Sequence, residues 1–191
     1  RNDGYIYAGA GTSMTIGLGS KFNSALAGNT FIGINIGEFS TPSGANNTAV
    51  GLGALHDITS GADNVAVGRG AGSAISTESN NVMIGSLAGQ VAGSNRVFIG
   101  YAAGNINTNA SVAIGYTALG GTGATNTIIG NNSFSLYNNS GTDNSTLGDS
   151  ALQRLDSGSR NVSIGSAAGA YVFLAASDNT YVGNLAGQLN N

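Results

Sequence analysis

Asn64-Val65-Ala66-Val67-Gly68-Arg69-Gly70-Ala71-Gly72 decides the fold, because the chain repeats this phrase along nearly its whole length. It returns as Asn47-Thr-Ala-Val-Gly51 on one side and Asn81-Val-Met-Ile-Gly85 on the other. Further copies are Asn126-Thr-Ile-Ile-Gly130, Asn161-Val-Ser-Ile-Gly165 and Asn179-Thr-Tyr-Val-Gly183. Aligned on the glycine, the copies fall at Gly17, Gly33, Gly51, Gly68, Gly85, Gly100, Gly115, Gly130, Gly148, Gly165 and Gly183. The spacing stays between 15 and 18 residues. Self-similarity at a short fixed period is the mark of a solenoid, each repeat being one coil that cannot bury its apolar side alone. We expect an all-β, parallel β-solenoid of about eleven 15–18-residue coils over residues 13–191, preceded by a lead-in segment over 1–12.

The alignment separates into columns. One residue before the glycine stand Ile16, Ile32, Val50, Val67, Ile84, Ile99, Ile114, Ile129, Leu147, Ile164 and Val182. Such uniform, mostly β-branched composition predicts an inward-facing strand position and hence the solenoid core. Val or Thr dominates three before the glycine, which the two-residue strand period places on the same face. Three after it comes Ala in most copies, as in Ala71 and Ala88, suited to a narrow interior crossed by a second strand. Four before it stands Asn in eight copies, where stacked amides can hydrogen-bond from coil to coil. The glycine itself suits a turn or a close backbone approach.

The position two before the glycine then points outward, yet it holds Phe31, Met83, Phe98, Ile128 and Tyr181. A strand apolar on both faces must be covered on both. We therefore expect these five side chains to seal an interface between identical parallel chains, with three the favoured number.

Composition agrees with a rigid repeat protein. Gly accounts for 32 of 191 residues without the three-residue period of collagen. Charged residues make up 8% against about 25% in ordinary domains, while 41% are hydrophobic, too many for a solvated disordered segment. The formal charge of −3 supplies no basic field for nucleic acid or anionic lipid. Absence of Cys excludes a disulfide framework and leaves the redox compartment open. No apolar run approaches a membrane span. The chain begins with Arg and reads as a piece of a longer polypeptide.

The phrases Asn64-Val-Ala-Val-Gly-Arg-Gly-Ala-Gly72 and Ser111-Val-Ala-Ile-Gly-Tyr-Thr-Ala-Leu119 resemble the head repeats of YadA-like trimeric autotransporter adhesins. They are also similar to repeats of trimeric phage-type tail fibres. The resemblance covers roughly residues 13–187. It implies a left-handed β-roll, a homotrimer and a role in attachment. The 17- and 18-residue coils stand closer to the fibre type than to the tighter adhesin head.

Catalytic chemistry finds little footing. His56 beside Asp57 could be drawn into a triad, but nothing around it marks an activated nucleophile. Asp57, Asp63 and Glu78, or Asp143, Asp149 and Asp156, could pair as glycosidase carboxylates, yet each sits where Asp starts a corner. No Gly-Gly-x-Gly-x-Asp calcium repeat and no phosphate loop occur. We expect no enzyme, no cofactor, no metal, no nucleic acid partner and no membrane insertion by this segment. The expected function is a structural or adhesive segment of an extracellular fibre, on a bacterial surface or a virion, binding a cell-surface receptor or glycan. Recognition is expected in the variable corners, with Tyr137 and Arg154 as anchors. The alternatives are a self-assembling filament subunit and an ice-binding solenoid.

Overall fold

The computed structural model describes residues 5–8, 14–17, 28–37, 43–90, 93–105, 112–118, 125–134, 140–155, 157–171 and 176–188. These residues contain twelve strands and no helix. The strands are β1 (Tyr5–Ala8), β2 (Met14–Gly17), β3 (Thr30–Ile32), β4 (Thr48–Val50), β5 (Val65–Val67) and β6 (Val82–Ile84). They continue with β7 (Val97–Ile99), β8 (Val112–Ile114), β9 (Thr127–Ile129), β10 (Ser145–Leu147), β11 (Val162–Ile164) and β12 (Thr180–Val182). All twelve form one sheet in chain order. From β2 to β12 every pairing is parallel and in phase, so each phrase lies directly over the next, as with Ala66 against Met83 and Met83 against Phe98. The chain is a β-solenoid.

From β3 onward each coil spends only three residues on a strand. Three further places in the coil turn through the left-handed region, five residues before the repeated glycine and two and four after it, as at Asn80 (φ 62), Leu87 (φ 62) and Gly89 (φ 62). Residues in that region cannot continue an extended strand. The second strand expected in each coil is therefore a run of turns, which still bond coil to coil, as in Gly53 N–H to the Ile34 carbonyl at 2.8 Å. The repeated glycine has two constraints. Its φ lies between 124 and 151, and its N–H donates to the preceding coil, as Gly51 does to Ile32 at 2.8 Å. A Cβ on Gly51 would come 2.6 Å from the carbonyl oxygen of Gly68 in the coil above. Only glycine fits such a step.

The strand phase is opposite to the one expected. Phe31, Met83, Phe98 and Ile128, expected at a chain–chain interface, are fully buried inside their own coils, and Tyr181 lies half-buried in the last one. The predicted core column faces outward. Ile16, Ile32, Val50, Val67, Ile99 and Ile114 are half-buried there, and Ile84, Ile129, Leu147, Ile164 and Val182 are exposed. A one-residue change of phase exchanges the two faces of every strand, so both assignments reverse together.

Two sets of contacts fix the true phase. First, the Asn column is buried and shares its parity with the position two before the glycine. In this ladder Asn81 donates its backbone N–H and its Nδ2 to Oδ1 of Asn64 at 3.1 and 2.9 Å. Asn64 Nδ2 in turn reaches the Glu78 carbonyl at 2.9 Å. Buried amides satisfied in this way hold the corner closed and cannot be turned to solvent without loss of each bond. Second, in six coils the inward strand residue trades volume with the residue four after the glycine. Large Phe31, Met83, Phe98 and Tyr181 are matched by Gly37, Gly89, Gly104 and Gly187, whereas small Ala49 and Thr146 are matched by Leu55 and Leu152. Ile128 is instead matched by Phe134. Gly72 and Gly169, beside small Ala66 and Ser163, leave room that Met83 and Leu55, and Tyr181 and Leu152, reach into from adjoining coils. Added Cβ atoms at Gly89 and Gly104 would run into Met83 and Phe98. The buried Ala column and Ile58, Ile75 and Leu155 complete the core.

This exchange of volume predicts a rescue. Phe98→Ala should cost about 3–5 kcal/mol through the cavity it leaves. Adding Gly104→Leu rebuilds the Ala49–Leu55 arrangement in a backbone conformation that Leu55 and Leu152 already adopt (φ 47 each). Urea denaturation should show the double variant recovering most of the loss; a double variant no better than Phe98→Ala would refute the shared volume.

The lead-in also joins the sheet. β1 pairs antiparallel with β2, Tyr5 opposite Gly17 and Ala8 opposite Met14. It covers the N-terminal edge of the parallel array.

Candidate interaction surface

The outward side of the sheet is built from the two odd columns of each strand. Three-residue strands point one side chain in and two out, so eleven stacked strands lay two parallel rows of mainly Val, Ile and Thr along the outer face. At the typical strand spacing of about 4.8 Å, the rows run for roughly 50 Å. The half nearer the C-terminus is the more exposed, with Leu147 at 51% and Val182 at 65%. Among the charged residues of the described chain, none lies in either row. The face is flat, aliphatic and continuous.

The row after the glycine borders this ribbon and carries its larger exposed groups. Ile34 and Leu52 stand at one end, and Tyr101 and Tyr116 stack in adjacent coils with ring centres 5.2 Å apart and planes inclined by 14°. Aromatic pairs at that distance gain about 0.5–1.5 kcal/mol beyond their burial. Arg69 follows the same row.

The expected recognition corner is described only in part. Tyr137 lies outside the described residues. Arg154 is exposed, and its guanidinium sits 5.0 Å from the ring centre of Tyr171 in the following coil. It thus forms a surface cation–π contact between coils. The structure does not bring the groups of a triad together: His56 Nδ1 meets Asp57 Oδ1 of its own corner at 2.6 Å. Asp63 and Asp143 accept bonds from the coil below, from Asn46 Nδ2 at 3.0 Å and Thr125 Oγ1 at 2.6 Å. Glu78 Oε2 closes its own turn on the N–H groups of Ser76 and Thr77. Asp149 accepts from Ser150, and Asp156 lies outside the described residues. Among the described residues no three His, Cys, Asp or Glu side chains gather where a metal could bind, and no helix is long and apolar enough to cross a membrane.

Two charged sites follow none of the repeated columns. Arg96 occupies the Asn position of its coil and is fully buried, its backbone N–H continuing the ladder to Asn81 Oδ1 at 3.1 Å. Its side chain fills the space left by Gly93, where a Cβ would collide with the guanidinium, and lies 5.8 Å from the Phe98 ring centre. Burial lowers its pKa to about 10, against the raising influence of Glu78, so it remains a cation at neutral pH. A glycine three residues before a non-Asn ladder position was the available signal. At the surface, Arg160 grips Asp178 of the next coil through Nε and Nη2 at 2.6 and 2.7 Å. That hydrogen bonding holds the Asp178 carboxyl below its ordinary range and raises Arg160.

Comparison with protein-family models, with characterised proteins and with solved structures finds no match to this chain.

Proposed function

We propose that this chain is a rigid segment of a homotrimeric extracellular fibre, on a bacterial surface or a virion, and that it serves attachment to a cell surface. The observation that carries the proposal is the outward aliphatic ribbon. A parallel sheet covered on one face only is unusual, since such sheets need both faces packed. A uniform ribbon running the length of the solenoid matches the same ribbon on a parallel copy, residue for residue, in every coil. The seam so formed uses Ile84, Ile129, Leu147, Ile164 and their column, in place of the residues now found inside. With columns committed to ladder, core and seam, only the corners are free to carry recognition of a receptor or glycan. Arg154 on Tyr171 is the described example.

The N-terminal edge weighs against a filament that grows end to end, because antiparallel β1 covers the face such growth needs. Ice binding would need a regular Thr array, whereas the outward row three before the glycine alternates Thr30, Thr48, Thr127 and Thr180 with Val.

Adhesion tests the function directly. Beads coated with the chain should adhere to cells of a panel spanning bacterial and epithelial types. Replacing Gln153-Arg154 by Gly-Ser, which spares the buried Leu155, should keep the far-ultraviolet spectrum and lower adhesion about tenfold, the effect of one or two interface anchors. Unchanged adhesion would make this corner a spacer; no adhesion to any cell would overturn the attachment role.

A further inference from the structure

We infer that the corner after β6 holds a notch for one acidic sugar ring, stacked beneath Tyr101, over Ser86, with its carboxylate on Arg69. The row after the repeated glycine decides what is covered. Where that residue is large, as with Arg69, Tyr101 and Tyr116, the aliphatic before the glycine is half-buried, as with Val67, Ile99 and Ile114. Where it is short, as with Ser86, the aliphatic is exposed, as with Ile84 at 38%. The relation holds in every coil from β3 to β12. Between β3 and β8, among the described residues, Ser86 alone breaks the run of large side chains.

Main-chain bonds hold this row in line. The carbonyls of Arg69, Ser86 and Tyr101 accept from the N–H groups of Leu87, Ala102 and Thr117 in the coils above, at 2.9, 3.0 and 2.9 Å. Tyr116 covers one face of the Tyr101 ring, with ring centres 5.2 Å apart, and holds it from behind. The opposite face is turned to the coil of β6, where Ser86 supplies only a hydroxymethyl group, and Tyr101 stays 45% exposed. From the level of Arg69 to that of Tyr101 is two coil steps, roughly 10 Å. Stacked rings take about 4.5–7 Å between centres, so the gap admits a single layer.

The groups around the notch define the occupant. The electron-rich face of Tyr101 attracts the C–H face of a saturated ring. The Tyr101 and Ser86 hydroxyls can each donate or accept at the substituents of such a ring. The Arg69 guanidinium is exposed and has no ion pair or hydrogen bond among the described residues, so its fork is open to a carboxylate. A pyranose has an apolar face and a rim of hydroxyls, which a plain aromatic side chain lacks. One guanidinium in a chain of formal charge −3 matches one carboxylate and not a polyanion. The occupant is therefore a single uronic acid residue of a cell-surface glycan. The inference rests on the attachment reading for that source and does not need the trimer.

Saturation-transfer difference NMR of the intact chain with methyl glucuronide tests the notch. The ring protons of the sugar should be saturated at millimolar concentration. Methyl glucoside, which lacks the carboxylate, should bind about tenfold more weakly. Arg69→Gln should erase that preference, since an amide carries no charge. Ser86→Leu fills the notch with the side chain that Leu52 places at the same point of its own coil. It should keep the fold and the melting temperature while lowering glucuronide binding about tenfold. No binding, equal binding of the two sugars, or full binding by Ser86→Leu overturns the inference. So does tighter binding of N-acetylphenylalaninamide than of glucuronide, which would assign the notch to an aromatic side chain of a protein. Binding that arises only in single chains of Ile129→Asp with Leu147→Asp also overturns it and assigns the notch to the seam. Coated beads that fail to adhere while glucuronide binding is intact count against attachment and leave the notch standing.

Discussion

Gly100→Ala should prevent the central coils from forming, with a loss above about 4 kcal/mol, in the range reserved for backbone strain and overpacking. The new methyl falls on the carbonyl oxygen of Gly115. That carbonyl cannot withdraw easily, because the Gly115 N–H is bound to Ile99 at 2.8 Å and the strands on either side are in register. The backbone φ of 130 is itself closed to alanine. Solenoids lose stability coil by coil, so the damage should appear as early exchange of amides in β7 and β8 while β4 and β5 keep theirs. Gly53→Ala is the control, since its Cβ would meet nothing within 4 Å and other coils accept non-glycine residues there. Equal effects from the two substitutions would contradict the steric account.

The second large effect concerns the ribbon. Ile84→Asp with Ile129→Asp places charge in the outward row while leaving the interior untouched. The double variant should fold, keep its far-ultraviolet spectrum and sediment as single chains. Phe98→Asp, by contrast, puts a carboxylate where no water reaches and should not fold at all. Had the phase been the reverse, the two results would exchange.

Some of the architecture is plain in the amino-acid sequence because the same constraint recurs in every coil. The repeated glycine meets the same carbonyl each time, and Asn29, Asn47, Asn64 and Asn81 hand the same bond upward. The glycine column admits one residue type and the Asn column departs from it only at Ser13, Arg96 and Ser111, so the solenoid and its parallel sheet follow from their spacing. The phase of the strands was not plain, because uniform Ile and Val resemble a core. Interior positions here are the variable ones: Phe31 with Gly37 and Ala49 with Leu55 fill one volume in different ways. The uniform aliphatics are uniform because they stack in a flat outward ladder, where β-branched side chains suit the pleat. Parity held the clue, since the buried Asn and the glycine lie at even steps from the inward residue.

Other features had no repeating signal. β1 carries none of the phrase, and its antiparallel pairing with β2 depends on a partner strand rather than on its own pattern. Arg96 interrupts the Asn column once, and its burial depends on Gly93 and Phe98 around it. At the corners, Asp63 and Asp143 are engaged by the coil below, which no spacing of carboxylates along the chain could have revealed.

Sedimentation equilibrium of the wild-type chain tests the ribbon as a seam most directly. The account predicts a single species of three times the 18.8 kDa chain mass, constant down to low micromolar concentration, and the chain mass itself for Ile84→Asp with Ile129→Asp. A wild-type chain that sediments at 18.8 kDa throughout that range, with its sheet intact, would contradict it.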